Sequence, residues 1–108
     1  MQPERRRTPR YPFIAMAEIV DDQEQTRKAS RVSELSLHGC YVEMPNPFPQ
    51  GTNVLIEIYT ETEFLEAHAT VAYLEPKQGM GLTFSDLPGH FESVLKRWLV
   101  QANGRQPH

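Results

Sequence analysis

Six stretches of this chain place apolar and β-branched residues at alternate positions, and each ends within a few residues in glycine, proline or a cluster of acidic and amide side chains. That pattern constrains the fold more than any other feature, because a period of two belongs to strands and short polar breaks belong to turns. Phe13, Ala15, Ala17 and Ile19 share one parity against Ile14, Met16, Glu18 and Val20, which predicts a strand that is apolar on much of both faces at its start. Asp21 to Gln25 has no apolar residue and predicts a hairpin tip before a second strand over Arg27 to Leu35. Ser36-Leu37-His38-Gly39 then forms a turn, and Cys40 to Met44 a short third strand. Pro45, Pro47 and Pro49 are incompatible with helix and ladder alike and mark a long loop. Val54 to Tyr59 and Phe64 to Leu74 predict two more strands, the second with Ala67, Ala69, Val71 and Tyr73 on one parity. After Pro76 to Gly79, the sixth strand covers Met80 to Phe84, and Gly81 within it signals a bend or a close approach of another group.

The period changes in the last segment. Phe91, Val94, Leu95, Trp98 and Leu99 fall at the spacing of one apolar helical stripe, with Pro88 near its start and Gly104 just past its end. Strands without intervening helices exclude a parallel βαβ architecture. The expected fold is all-β, an antiparallel barrel or sandwich whose open face or mouth is covered by the C-terminal helix. With 108 residues there is room for one core. The predicted organisation is a basic strap over residues 1–12, the barrel and helix over 13–102, and a flexible tail over 103–108.

Charge divides the chain unevenly. Arg5, Arg6, Arg7 and Arg10 against Glu4 give the first ten residues a charge of +3, so the total of −3 leaves −6 on the rest. Such an arm suits a phosphate-bearing ligand, a solvated tail or a strap across the protein's own acidic surface. Binding to a nucleic-acid polymer is disfavoured, because the acidic body would repel phosphates beyond the arm. No run approaches the ~18 apolar residues of a membrane span, and residues 1–4 carry no signal-type apolar run, so the expected setting is cytoplasmic, without a membrane role.

A search for chemistry yields little. His38 and Cys40 are too few for a zinc site, and Cys40 has no second cysteine with which to form a disulfide. Ser36 and His38 sit too close together on one turn to converge as nucleophile and base. Glu61/Glu63 and Asp21/Asp22 are expected at solvated hairpin tips. Neither a catalytic centre, a metal nor a cofactor is expected.

Two short constellations remain. Arg6 and Arg10 are four apart in a segment that Pro9 and Pro12 keep extended, and Glu34, Ser36 and Gly39 place a carboxylate, a hydroxyl and a glycine where one strand turns into the next. Together they resemble the PilZ domain, a bacterial sensor of cyclic di-GMP, whose motifs are Arg-x-x-x-Arg in an N-terminal strap and (Asp/Asn)-x-Ser-x-x-Gly some way downstream. This chain has Arg6-x-x-x-Arg10 and Glu34-x-Ser36-x-x-Gly39; Gly39-Cys40-Tyr41-Val42 and Gly79 to Phe84 are also similar to the family, and the likeness covers nearly the whole chain.

The resemblance implies a six-stranded antiparallel β-barrel with a C-terminal amphipathic helix, and cyclic di-GMP as the ligand. It implies that Arg6 and Arg10 clamp guanine and phosphate, that Ser36 and residue 34 hold the base or the ribose-phosphate, and that Gly39 admits close approach or a positive φ. Arg5 and Arg7 would add electrostatic attraction. An arginine fork matches the paired O6 and N7 acceptors of guanine, which gives those roles a physical basis. Glu34 departs from the family's Asp or Asn by one methylene and would instead be able to pair with an arginine of the strap. The ligand signal would pass to an unidentified protein effector; the alternative is an adaptor of the same fold that acts by protein contact alone.

Overall fold

The computed structural model of the chain describes residues 9–104. Its elements are β1 (Arg10–Asp21), β2 (Arg27–Ser36), β3 (Gly39–Glu43), β4 (Asn53–Tyr59), β5 (Phe64–Glu75), β6 (Gly79–Asp86) and α1 (Gly89–Gly104). Every strand pairs antiparallel with its neighbours in the order β1-β2-β3-β6-β5-β4, and β4 returns to β1 to close a barrel. Closure pairs Met16–Val20 of β1 with β2 on one side and β4 on the other, which removes most of the open edge on which another chain could build. Among the described residues no helix is long and apolar enough to cross a membrane.

Alternation turns one face of each strand into the lumen. On β1, Phe13, Ala15, Ala17 and Ile19 are buried while Ile14 and Met16 remain outside. Small and large side chains meet across the ladder, Ala17 beside Ile58 and Ile56 beside Ala67. That exchange of sizes lets a narrow barrel fill without a void. Cys40 belongs to this interior, where burial pushes its thiol pKa up to about 12. It is a small core side chain, and His38 lies apart from it on the exposed turn.

Two boundaries differ from the sequence pattern. β1 begins at Arg10, with Arg10 opposite Ser36, Tyr11 opposite Leu35 and Pro12 opposite Glu34. The last residues of the expected strap are therefore part of the ladder. On β5 the register shifts between Val71 and Tyr73, so Val71 is buried and Tyr73 stands on the outer surface. Simple alternation would have placed both inside; the extra residue, Ala72, is what turns Tyr73 outward.

The helix closes one end. Trp98 is buried and stacks on Phe13 with ring centroids 5.1 Å apart, while Leu95 and Ala102 are buried on the same stripe and Phe91, Val94 and Leu99 pack partly covered against the core. Glu63 is not a solvated tip residue, in contrast to the sequence expectation. Its Oε1 accepts a hydrogen bond from the Trp98 indole N–H at 3.0 Å, and its Oε2 pairs with the Arg97 guanidinium. The carboxylate thus ties the β4–β5 connection to α1, and the Arg97 contact, helped by the indole, holds its pKa below the ordinary 4.5.

Two outcomes follow from this docking. Trp98→Ala should destabilise the fold by about 3 to 5 kcal/mol in chemical denaturation, since it empties a large core site. A depressed folded-state pKa means that the Glu63 contribution is present at neutral pH and is lost as pH falls below about 4.5. Thermal melts of Glu63→Gln should therefore lie below those of the native chain at neutral pH and approach them in acid.

Candidate functional site

One lateral row organises the outer wall. Pro12 on β1, Glu34 on β2, Tyr41 on β3, Gly81 on β6 and Tyr73 on β5 are successive partners across the ladder. The row beneath it, Tyr11, Leu35, Cys40, Leu82 and Val71, faces inward. Register shifts flank the outer row on three strand pairs: between Pro12 and Ala15, between Val32 and Glu34, and between Val71 and Tyr73. Val32 is fully buried, so unbroken alternation would send Glu34 into the same apolar lumen; the irregularity at Ser33 brings it outside.

The floor of the site is bare backbone. A Cβ on Gly81 would lie 2.1 Å from Tyr73 Cε1, and a Cβ on Gly79 would lie 2.1 Å from the Val42 carbonyl oxygen and 2.8 Å from the Tyr41 hydroxyl. The two tyrosine rings therefore lean over β6, with centroids 6.3 Å apart and planes 28° from parallel. The Tyr41 hydroxyl donates to Glu75 Oε1 at 2.6 Å, and burial together with that carboxylate raises its pKa. Between this floor and the β2–β3 turn lies an open cavity of about 270 Å³, lined by Arg10, Glu34, Ser36, His38, Gly39, Tyr41, Ala72, Tyr73, Gly81 and Thr83 among others. Its size is just below the roughly 300 Å³ at which small-molecule pockets begin, so it suits one planar ring rather than a whole dinucleotide.

Arg10 stands at the mouth. Its Nη2 pairs with Glu34 Oε1 at 2.9 Å and its Nη1 donates to the Tyr73 hydroxyl at 3.3 Å. The Tyr73 contact is the main reason that its pKa rises, with Glu34 adding to it against partial desolvation. Ser36 is buried in the turn: its hydroxyl donates to the Gly39 carbonyl at 3.3 Å and accepts from the His38 amide at 3.2 Å. One lone pair is left for a further donor. Gly39 is required by close packing and not by a positive φ, since a Cβ there would meet the Leu82 carbonyl oxygen at 2.0 Å.

Of the residues singled out in the sequence, the structure brings Arg10, Glu34, Ser36 and Gly39 to one cavity. Arg5, Arg6 and Arg7 lie outside the described residues. Tyr41 and Tyr73 are lining residues to which the sequence assigns no site role: Tyr41 falls in the family-like Gly39-Cys40-Tyr41-Val42 segment, and Gly81 signals a close approach without saying that the group is Tyr73.

This barrel with its end helix and its site on the outer wall is a PilZ-type module. The PilZ domain model matches residues 4–101, and the chain belongs to the PilZ domain family. Its fold is shared with the PilZ domain of YcgR from Escherichia coli, whose structure includes c-di-GMP, at a TM-score of 0.77 and 15% identity over 94% of this chain and 93% of that one. The PilZ domain of CeSA from a cellulose synthesizing bacterium gives 0.65 and 20% identity over 89% and 96%. The Bacillus subtilis inhibitor of motility MotI/DgrA gives 0.74 and 18% identity, over 98% of this chain and 56% of that one. At these identities the likeness is one of fold. No curated protein matches the chain in sequence.

The glycine geometry separates two kinds of damage. Gly39→Ala drives a methyl group into a backbone carbonyl of the next strand, so it should destabilise by about 1 to 3 kcal/mol. Gly81→Ala meets only the movable end of Tyr73 and should cost less stability while displacing the ring, which tyrosine fluorescence and an amide spectrum would register. Equal melting temperatures for the two variants would contradict this assignment.

Proposed function

We propose that this protein is a receptor for cyclic di-GMP, not an enzyme, and that it acts in the cytoplasm by passing ligand occupancy to a protein effector. The observation that carries the reading is Arg10 held at the rim of a ring-sized cavity by Glu34 and Tyr73. Membership of the PilZ family and the c-di-GMP in the YcgR structure support it.

Guanine would enter over the glycine floor beside Tyr73, where a π-face gains from stacking on an aromatic ring or on a guanidinium plane. The Arg10 fork would then exchange its carboxylate and phenol partners for O6 and N7 of the base or for a phosphate oxygen. That exchange is inexpensive. Both members of the Arg10–Glu34 pair are substantially exposed, at 30% and 42% of their side-chain area, and such pairs contribute about 0 to 1 kcal/mol. Once released, Glu34 can accept from the N1–H and N2–H edge of guanine, and the spare lone pair of Ser36 can take one more donor. Arg6, with Arg5 and Arg7 beside it, supplies the positive charge that two phosphates need.

Isothermal titration with cyclic di-GMP, GTP and cyclic GMP tests the reading, and only the cyclic dinucleotide is expected to bind tightly. Arg10→Ala and Arg6→Ala should each weaken binding by about 1 to 3 kcal/mol, roughly tenfold to a hundredfold. Glu34→Asp shortens the reach to Arg10 while keeping the acceptor and should tighten binding several-fold. Glu34→Ala, which removes the acceptor, should weaken it. No binding by the native chain or by Glu34→Asp would leave the ligand-independent adaptor as the function.

A further inference from the structure

The opposite use of the barrel wall lies on β1, β4 and β5. Their outer residues form three rows across the ladder: Met16, Tyr59 and Phe64; then Glu18, Glu57 and Glu66; then Val20, Leu55 and His68. Ile14 extends the first row along β1. Ile14, Met16 and Phe64 are 63%, 55% and 49% exposed, and they are three of the largest apolar side chains that the described residues leave in solvent. The glutamates stand side by side, with Cβ atoms of directly opposed residues about 5 Å apart. Arg27 pairs with Glu18, and no ion pair reaches Glu57 or Glu66 among the described residues.

Like charges directly opposed across strands destabilise a sheet, and although Phe64 packs one side of its ring on Phe91 of α1 at 5.3 Å, Ile14 and Met16 are left in solvent with more than half of their surface. The glutamate row and the exposed Ile14 and Met16 do not help the barrel, yet together they form one surface whose rows repeat about every 7 Å along the strands. Burial first, and then the fields of Glu18 and Glu57 against that of Arg27, raise the pKa of the Tyr59 hydroxyl in the neighbouring row. An acidic lipid surface or a nucleic acid would be repelled. A protein segment with lysine or arginine flanked by apolar side chains would satisfy both kinds of row at once.

We propose that the outer face of β1, β4 and β5 is the docking surface for such a basic, apolar segment of a partner protein. This goes beyond ligand binding, and its test does not depend on the nucleotide. Glu57 is the centre of the acidic row and decides the outcome. On a docking surface Glu57→Lys trades stability for recognition: the melting temperature should rise, because lysine pairs with both neighbours, while binding should fall.

The experiment is amide chemical-shift mapping on the full chain, titrated with a synthetic peptide of alternating lysine and leucine, and with matched glutamate–leucine and serine–leucine peptides. The lysine peptide should shift the amides of Met16 to Glu18, Glu57 to Tyr59 and Phe64 to Glu66, and the two control peptides should not. The double variant Glu57→Lys, Glu66→Lys should lose about tenfold or more in affinity, whereas Glu24→Lys, Glu92→Lys should not. Shifts centred on Arg10 and Tyr73, equal loss in both double variants, or equal binding of the control peptides would overturn the proposal. So would sedimentation showing a dimer that Met16→Asp dissociates, which would make the face an interface between copies. Displacement of the same amides by Arg5, Arg6 and Arg7→Ala without any peptide would assign the face to the chain's own arm instead.

Discussion

The register shifts at one end of the barrel are the constraint on which the site depends. A closed six-stranded barrel has an apolar lumen, and a carboxylate sent into it would need a partner that no inner row supplies. Without the irregularity at Ser33, Glu34 would follow Val32 inside; without Ala72, Tyr73 would follow Val71. The shifts reconcile a polar, aromatic surface with a dry interior in neighbouring residues of the same strands. They also give Gly79 and Gly81 their purpose, because a strand without side chains serves as a floor only if rings from the adjacent strands fold over it. The polar row and the dry interior are thus reconciled by geometry at one row, while the one further irregularity among the described ladders, between His68 and Ala69 on β5, lies away from it.

How much of this was legible in the sequence follows from the range of each signal. Alternation and turn chemistry are local, so six strands, the proline loop and the helical stripe could be found from Phe13 to Leu99 by inspection. A bulge is a property of two strands. Nothing in Leu65 to Leu74 distinguishes Ala72 as an extra residue, and Tyr73 was therefore placed on the parity of Val71. Glu63 has the same explanation: beside Glu61 it has the composition of an exposed tip, and its partners, Arg97 and Trp98, lie more than thirty residues away. Glu34, Ser36 and Gly39 were legible because their spacing is short. Arg10 was legible as charge but not as the first residue of a strand, because Pro9 and Pro12 give no information about what the segment pairs with.

The Glu34 substitution gains a physical meaning from its partner. The longer side chain reaches Arg10 and occupies the guanidinium through an ion pair between two partly exposed groups at the rim of the cavity. On the proposed reading, desolvation by an incoming base would strengthen whatever the guanidinium then contacts, and bidentate contacts to a base or phosphate would outweigh one exposed carboxylate. The pair would therefore compete with the incoming base for Arg10, and because both groups are partly exposed that competition would be weak.

β1 and β5 each contribute to both outer surfaces, Arg10 and Tyr73 at the cavity, and Met16, Glu18, Phe64 and Glu66 on the acidic wall. Six residues along an extended strand separate Arg10 from Met16 by about 20 Å, well past the ~8 Å over which charge is felt in physiological salt. Rearranging the Arg10 pair therefore cannot by itself alter the potential at the glutamate row. A ladder closed on both sides does not slide by one residue without reversing every inward side chain. On the two proposed readings a signal between the surfaces would be carried by the +3 charge of the first ten residues, since recruiting those arginines to a bisphosphate would withdraw positive charge from the acidic body. Communication on this account is competition for the arm, and its strength should fall with ionic strength as exposed electrostatic contacts do.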